Sequence, residues 1–335
     1  MQAAIYGIEG TELTREERDF FRDADPAGFI LFKRNCECRD QLVRLTAALR
    51  EVSGRPEVPI LVDQEGGRVA RMRPPEWPAF PPGEAFDRLY QLAPSSAIEA
   101  ARSNARALGL MLSEVGVNVD CLPMLDVRQP GATDIVGDRA LGSDPMQVSA
   151  LGRAILDGLH SAGVLGVIKH IPGHGRALVD SHKELPVVVA DDSDLAIDLE
   201  PFERLRGAAM GMMAHVVYTA WDVERPGSQS PIVVHDIIRE RIGFDGFLMS
   251  DDIGMEALSG DHGQRAAACV AAGCDVALHC DGKMQNMLLV AKAVPALSPE
   301  GEARLARAMA LTFTPEDGVD FAAAVEKRDA LLALV

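Results

Sequence analysis

Short apolar runs rich in β-branched residues recur along the chain, at residues 3–8, 28–32, 59–62, 117–122, 164–168, 211–217, 246–249 and 275–278. Each is too short for a helix and reads as a strand covered on both faces. Between them the apolar positions fall at helical spacing, and the helix ends carry recognisable signals. Thr14 with Glu17 reads as a capping box, as does Ser96 with Glu99. Asp144 followed by Pro145 supplies an N-cap and a first-turn proline, while Gly54, Gly116, Gly163 and Gly273 stand where helices should stop. This alternation predicts an α/β protein with a parallel sheet under helices. Eight such units fit a (β/α)8 TIM-type barrel better than a doubly wound sheet. The dinucleotide fingerprint is also missing, since Gly7-Ile8-Glu9-Gly10 leads to no GxGxxG. No linker or composition break divides the chain, so residues 1–335 read as a single domain. The Pro-rich residues 74–82 read as a long βα loop, and the tail from about 291 as terminal helices packed on the barrel.

Composition adds mainly exclusions. Lys+Arg 33 against Asp+Glu 50 gives a net charge of −17, which disfavours a nucleic-acid partner and gives no support to a membrane surface. The first residues lack a basic, then apolar, signal peptide, and no apolar run reaches the roughly 18 residues of a membrane span. Six cysteines form no CxxC and read as reduced core thiols. The expectation is a cytoplasmic monomer acting on a small molecule, with no nucleic acid and no membrane as partner.

Titratable residues collect where the strands should end. The third run leads into Asp63-Gln64-Glu65-Gly66-Gly67-Arg68, with Arg71 beyond it. The fourth leads towards Asp126 and then Asp138-Arg139, and the sixth ends at His215. The seventh ends in Ser250-Asp251-Asp252, and the last at His279 and Asp281. The densest cluster follows the fifth run, where Lys169-His170-Ile171-Pro172-Gly173-His174-Gly175 continues to Asp180-Ser181-His182. Taken singly, each has a bland reading: Asp252 as a helix cap, Asp63 as part of a turn, one histidine as a satisfied core residue. Recurrence across these strand ends favours a site on the C-terminal face of a barrel. His170 and His174 have a metal-like spacing, but Ile171-Pro172-Gly173 removes the helix that would align them, so no metal is assigned. There is no GxSxG elbow for a serine nucleophile.

The remaining chemistry suits sugars. Asp63 and arginines such as Arg71 and Arg139 can bond hydroxyl and carbonyl groups. Asp251 could attack an anomeric carbon, and His182, oriented by Asp180, could exchange a proton with the glycosidic oxygen.

At these motifs the chain resembles glycoside hydrolase family 3, and within it the bacterial cytoplasmic β-N-acetylhexosaminidases. Asp63-Gln64-Glu65-Gly66-Gly67-Arg68-Val69 with Arg71, Asp138-Arg139, the 169–175 run, Asp180-Ser181-His182 and Ser250-Asp251-Asp252 follow the family's order. Ile171 departs from it, standing where the family generally carries an aromatic residue, and Ile253 follows the aspartates where leucine is common. The resemblance implies a TIM barrel that removes terminal N-acetylglucosamine with retention, in peptidoglycan recycling, and needs no cofactor. It implies Asp251 as nucleophile, His182 as acid/base and Asp180 as its partner. Asp63, Arg71, Arg139, Lys169 and His170 match substrate-binding positions, the substrate being a saccharide or muropeptide. The rivals are β-glucosidase or N-acetylglucosaminide phosphorylase activity, or a non-catalytic sugar-binding protein. The glycines of residues 171–184 predict a mobile loop.

Overall fold

A computed structural model describes residues 1–131, 136–179, 181, 184–315 and 321–335. Eight parallel strands close into a barrel in chain order: β1 (Gln2–Gly7), β2 (Pro26–Leu31), β3 (Ile60–Val62), β4 (Val119–Asp120), β5 (Leu165–Ile171), β6 (Met210–Met213), β7 (Phe247–Asp252) and β8 (Val276–His279). β8 returns to β1, where Tyr6 pairs with His279. All eight expected strands are present and the (β/α)8 expectation holds. The sixth is shorter than its apolar run. β6 stops at Met213, and Val217–Tyr218 pairs instead with Val187–Val188 in a small two-stranded sheet. Between the two, His215 bonds the Ser228 hydroxyl and the Asp252 carbonyl rather than extending the strand.

The covering helices are α1 (Arg15–Ala24), α2 (Arg39–Ser53), α3 (Gly83–Leu92), α4 (Pro94–Glu114), α5 (Pro145–His160) and α6 (Asp192–Arg204). After a π-helical segment, Val233–Ile242, come α7 (His262–Ala272), α8 (Met284–Ala293), α9 (Pro299–Met309) and α10 (Phe321–Leu332). The Thr14–Glu17 capping box forms, and Asp144 caps α5 through the Gln147 amide. Ser96 does not cap a helix. Pro94, whose missing N–H suits a first turn, starts α4 two residues earlier, so Ser96 lies inside it. Gly54, Gly116, Gly163 and Gly273 all take positive φ just past helix ends.

The tail is helical, with α10 lying against α3 and α4. There Arg328, 7% exposed, bonds Asn104 and stacks its guanidinium over Phe80. No helix among the described residues is long and apolar enough to cross a membrane, and all six cysteines are unpaired.

What positions the site is burial at strand ends. All seven residues of β5 are buried, including Lys169 and His170. A charged ammonium 2% exposed is tolerable only when opposite charges surround it, so β5 requires acidic neighbours on adjoining strands.

Candidate active site

Those neighbours come from the segment after β3, where Asp63 and Glu65, two positions apart, both turn their carboxylates to Lys169. Lys169 Nζ lies 3.0 Å from Asp63 Oδ1 and 2.6 Å from Glu65 Oε1. Arg71 Nη2 reaches the other Asp63 oxygen at 2.9 Å. Arg139 grips Glu65 with both arms of its fork, Nε to Oε2 at 2.8 Å and Nη2 to Oε1 at 2.7 Å. Gln64 turns the opposite way, where its side-chain oxygen accepts the Arg71 and Met72 amides and its nitrogen donates to the Met72 carbonyl.

Burial would raise the Asp63 carboxyl, but Lys169 and Arg71 outweigh it and hold it well below the usual carboxylate range. Glu65 behaves alike: burial opposes ionisation, and the charges of Arg139 and Lys169 bring its pKa down to about 2. Burial would likewise strip Lys169 of its proton, and Asp63 and Glu65 reverse that, keeping it an ammonium. The result is a desolvated lattice of alternating charge with its donors oriented in advance.

A third carboxylate organises the histidines. Asp126 Oδ2 lies 2.7 Å from His170 Nδ1, while its Oδ1 accepts the His174 amide at 2.7 Å. Burial is again opposed, chiefly by His170, and Asp126 sits at about 2. His174 is pushed below the ordinary imidazole value by burial, partly countered by Asp126. The Lys169–His170 and Ile171–Pro172 peptide bonds are cis, and no helix joins the two histidines.

Asp251 stands at the C-terminal end of β7, 8% exposed, its Oδ1 accepting the Asp252 amide at 2.8 Å. Its flanking residues bind β8: Ser250 Oγ accepts the Leu278 amide at 3.0 Å and Asp252 Oδ1 the Cys280 amide at 3.3 Å. Asp252 is not a helix cap. It closes a turn through the Gly254 amide, and α7 is capped by Asp261 instead. His215, within the sixth apolar run, is fully buried and bonded through both ring nitrogens, a packing role.

Asp63, Arg71, Arg139, Lys169, His170 and Asp251 therefore line one pocket. Asp180 and His182 lie outside the described residues. Ser181 between them is 3% exposed and also lines the pocket, and its carbonyl accepts the Ala257 amide from the segment after β7. The weight of Glu65 and Asp126 is not evident from the sequence: Glu65 pairs with Lys169 and Arg139, and Asp126 contacts His170 and the His174 amide. Glu65 was legible as an acid two places after Asp63. Asp120 was also passed over: on β4, fully buried, it accepts the Gln64 amide at 3.0 Å and burial raises its carboxyl well above the ordinary range.

The Glycosyl hydrolase family 3 N terminal domain profile matches residues 4–310. A Beta-hexosaminidase of Xylella fastidiosa (strain M23) is 41% identical over 299 residues, covering 86% of each chain. The crystal structure of NagZ from Neisseria gonorrhoeae in complex with N-trifluoroacetyl-D-glucosamine superposes with a TM-score of 0.88 at 30% identity, covering 99% of this chain and 98% of that one. A family 3 β-N-acetylglucosaminidase from Paenibacillus sp. str. FPU-7 gives 0.86 at 26% identity, covering 98% of this chain and 66% of the other.

Proposed function

Because the chain belongs to glycosyl hydrolase family 3 and is a glycoside hydrolase, we propose that it is a retaining exo-β-N-acetylglucosaminidase. In this reading it acts in the cytoplasm and releases terminal N-acetylglucosamine from peptidoglycan fragments. The observation that carries the reading is that Asp251 shares a pocket with the Asp63, Glu65, Lys169 and Arg139 lattice. Relatives named as hexosaminidases, and one bound to an N-acylated glucosamine, support the choice of sugar.

The mechanism follows from the chemistry of these groups. Asp251, ionised, attacks the anomeric carbon while His182, protonated, delivers its proton to the departing oxygen. The glycosyl-enzyme then forms with one inversion. Neutral His182 next takes a proton from water, which attacks the same carbon with a second inversion, so configuration is retained overall. An imidazole titrates at about 6.5, so both protonation states are accessible near neutrality. Asp180 orients the ring and stabilises its charged form. Asp63, Arg71, Arg139, Lys169 and His170 bind the hydroxyl and N-acetyl groups, Asp63 accepting from hydroxyls and the cations donating to oxygens.

The test compares release of p-nitrophenol from the N-acetyl-β-glucosaminide and from the β-glucoside, with and without phosphate. Cleavage of the first alone, indifferent to phosphate, is expected. Phosphate-dependent release would instead assign a phosphorylase, and cleavage of neither would leave a sugar-binding protein. Asp251→Ala is expected to abolish turnover, and full activity in that variant would remove Asp251 from its assigned role.

A further inference from the structure

Outside the sugar pocket, one corner of the barrel holds polar groups that the reaction does not use. His279 ends β8 and is completely buried. Its Nε2 lies 3.2 Å from Asp281 Oδ1 without the alignment of a hydrogen bond, and its Nδ1 has no partner among the described residues. His262, the first residue of α7, packs its ring against His279 with centroids 5.2 Å apart, and its buried Nδ1 is also unpartnered. Two buried imidazole nitrogens without any partner among the described residues, His279 Nδ1 and His262 Nδ1, are unusual in one corner, because buried polar atoms are normally paired.

One ligand atom from each of His262, His279 and Asp281 lies within 4.8 Å of the others. We propose that these three residues form a binding site for a divalent d-block cation of the zinc type, clamping the start of α7 to the end of β8. Two imidazoles and one carboxylate are a common ligand set for such ions, with water in a fourth position. The 3.2 Å between His279 Nε2 and Asp281 Oδ1 already matches the edge of a tetrahedron with bonds of about 2.0–2.1 Å. His262 is only partly buried at the start of its helix, so its side chain can close the remaining distance.

The surroundings fit as well. Asp281 is oriented by the Lys283 amide at 2.8 Å and by Asn286 Nδ2 at 2.6 Å, the outer support that fixes a metal-bound carboxylate. Burial and the neighbouring His279 hold His262 below the ordinary imidazole value, which favours its neutral, ligating form. Asp252 adds negative charge at this corner, against the positive charges of Arg265 and Arg34. A second cluster, His235, Asp236 and Glu240, is fully exposed and has no such unsatisfied buried nitrogens.

In the sequence only His170 and His174 show a metal-like spacing. The two histidines here are 17 positions apart and meet only because α7 packs beside β8. The proposed cation lies one residue beyond Cys280, which lines the sugar pocket, and does not depend on the glycosidase reading.

The experiment titrates the chelator-treated full chain with Co²⁺, followed by visible d–d absorption, and measures thermal unfolding with and without Zn²⁺. The unsubstituted protein is expected to show a four-coordinate cobalt spectrum and a higher unfolding temperature with zinc. His262→Gln should lose that spectrum and the zinc-induced rise, while unfolding at the unsubstituted temperature in chelator. Asn286→Ala, which leaves all three ligands in place, should weaken zinc binding about tenfold or more. Cobalt bound elsewhere would persist in His262→Gln. If the spectrum and stoichiometry of His262→Gln equal those of the unsubstituted protein, or neither binds cobalt, the site does not exist. Should His262→Gln unfold early in chelator, Asp281→Asn decides by the same criteria.

Discussion

Glu65 faces two buried cations at once, and its removal should be felt in both binding and stability. Glu65→Gln leaves Arg139 without its bidentate partner and Lys169 with Asp63 alone. Breaking one side of a buried ion pair costs about 3–5 kcal/mol, so the urea midpoint should fall by a corresponding amount. An unchanged midpoint would mean that water already compensates these charges. Asp120→Asn is the contrasting case. Burial holds the Asp120 carboxyl well above its ordinary range, and an amide there still accepts the Gln64 N–H. The expected change is below about 1 kcal/mol, the size of one ordinary hydrogen bond.

Among the elements, the segment after β3 matters most, because it carries Asp63, Glu65 and Arg71. Its turn places Gly66 at φ +101, and an added Cβ would run into the Pro81 carbonyl, which belongs to the Pro-rich part of the same loop. Gly54, at the end of α2, has φ +64 but open space around it. Gly54→Ala should therefore cost only the left-handed strain of about 1–2 kcal/mol. Gly66→Ala should cost more and should also weaken sugar binding, since the backbone must shift where the acids are held. Equal thermal shifts in the two variants would contradict this account. The short apolar strands and most of the capped helices were readable from local pattern. The early end of β6 and the start of α4 were not, since His215's buried partners and Pro94's fit to a first turn decided them.

Across the whole molecule, the depressed carboxylates make acid sensitivity a property of the site lattice. Glu65 and Asp126 titrate at about 2 when folded, and Asp63 is also depressed, against ordinary values of 4.5 and 3.8. A depressed pKa stabilises the fold above the unfolded value, and that share is lost as pH falls through the folded one. Stability should therefore drop between about 4.5 and 2. Asp198 has the opposite sign, raised by burial to about 6, so its share fades as pH rises from about 4 through 6. Denaturant midpoints across pH 2–7 test this, and Asp126→Asn should flatten the acid limb. The amino-acid sequence by itself determined the barrel and the ionisable groups at its strand ends, because period, caps and motif order are local and survive without coordinates. It also carried the family resemblance. Only the tertiary structure decided that Glu65 serves Arg139 and Lys169, that Asp126 serves two histidines, and that His262 meets His279 and Asp281. Those pairings join residues far apart in the chain, and they exist because closing the barrel buries charges that must then find one another.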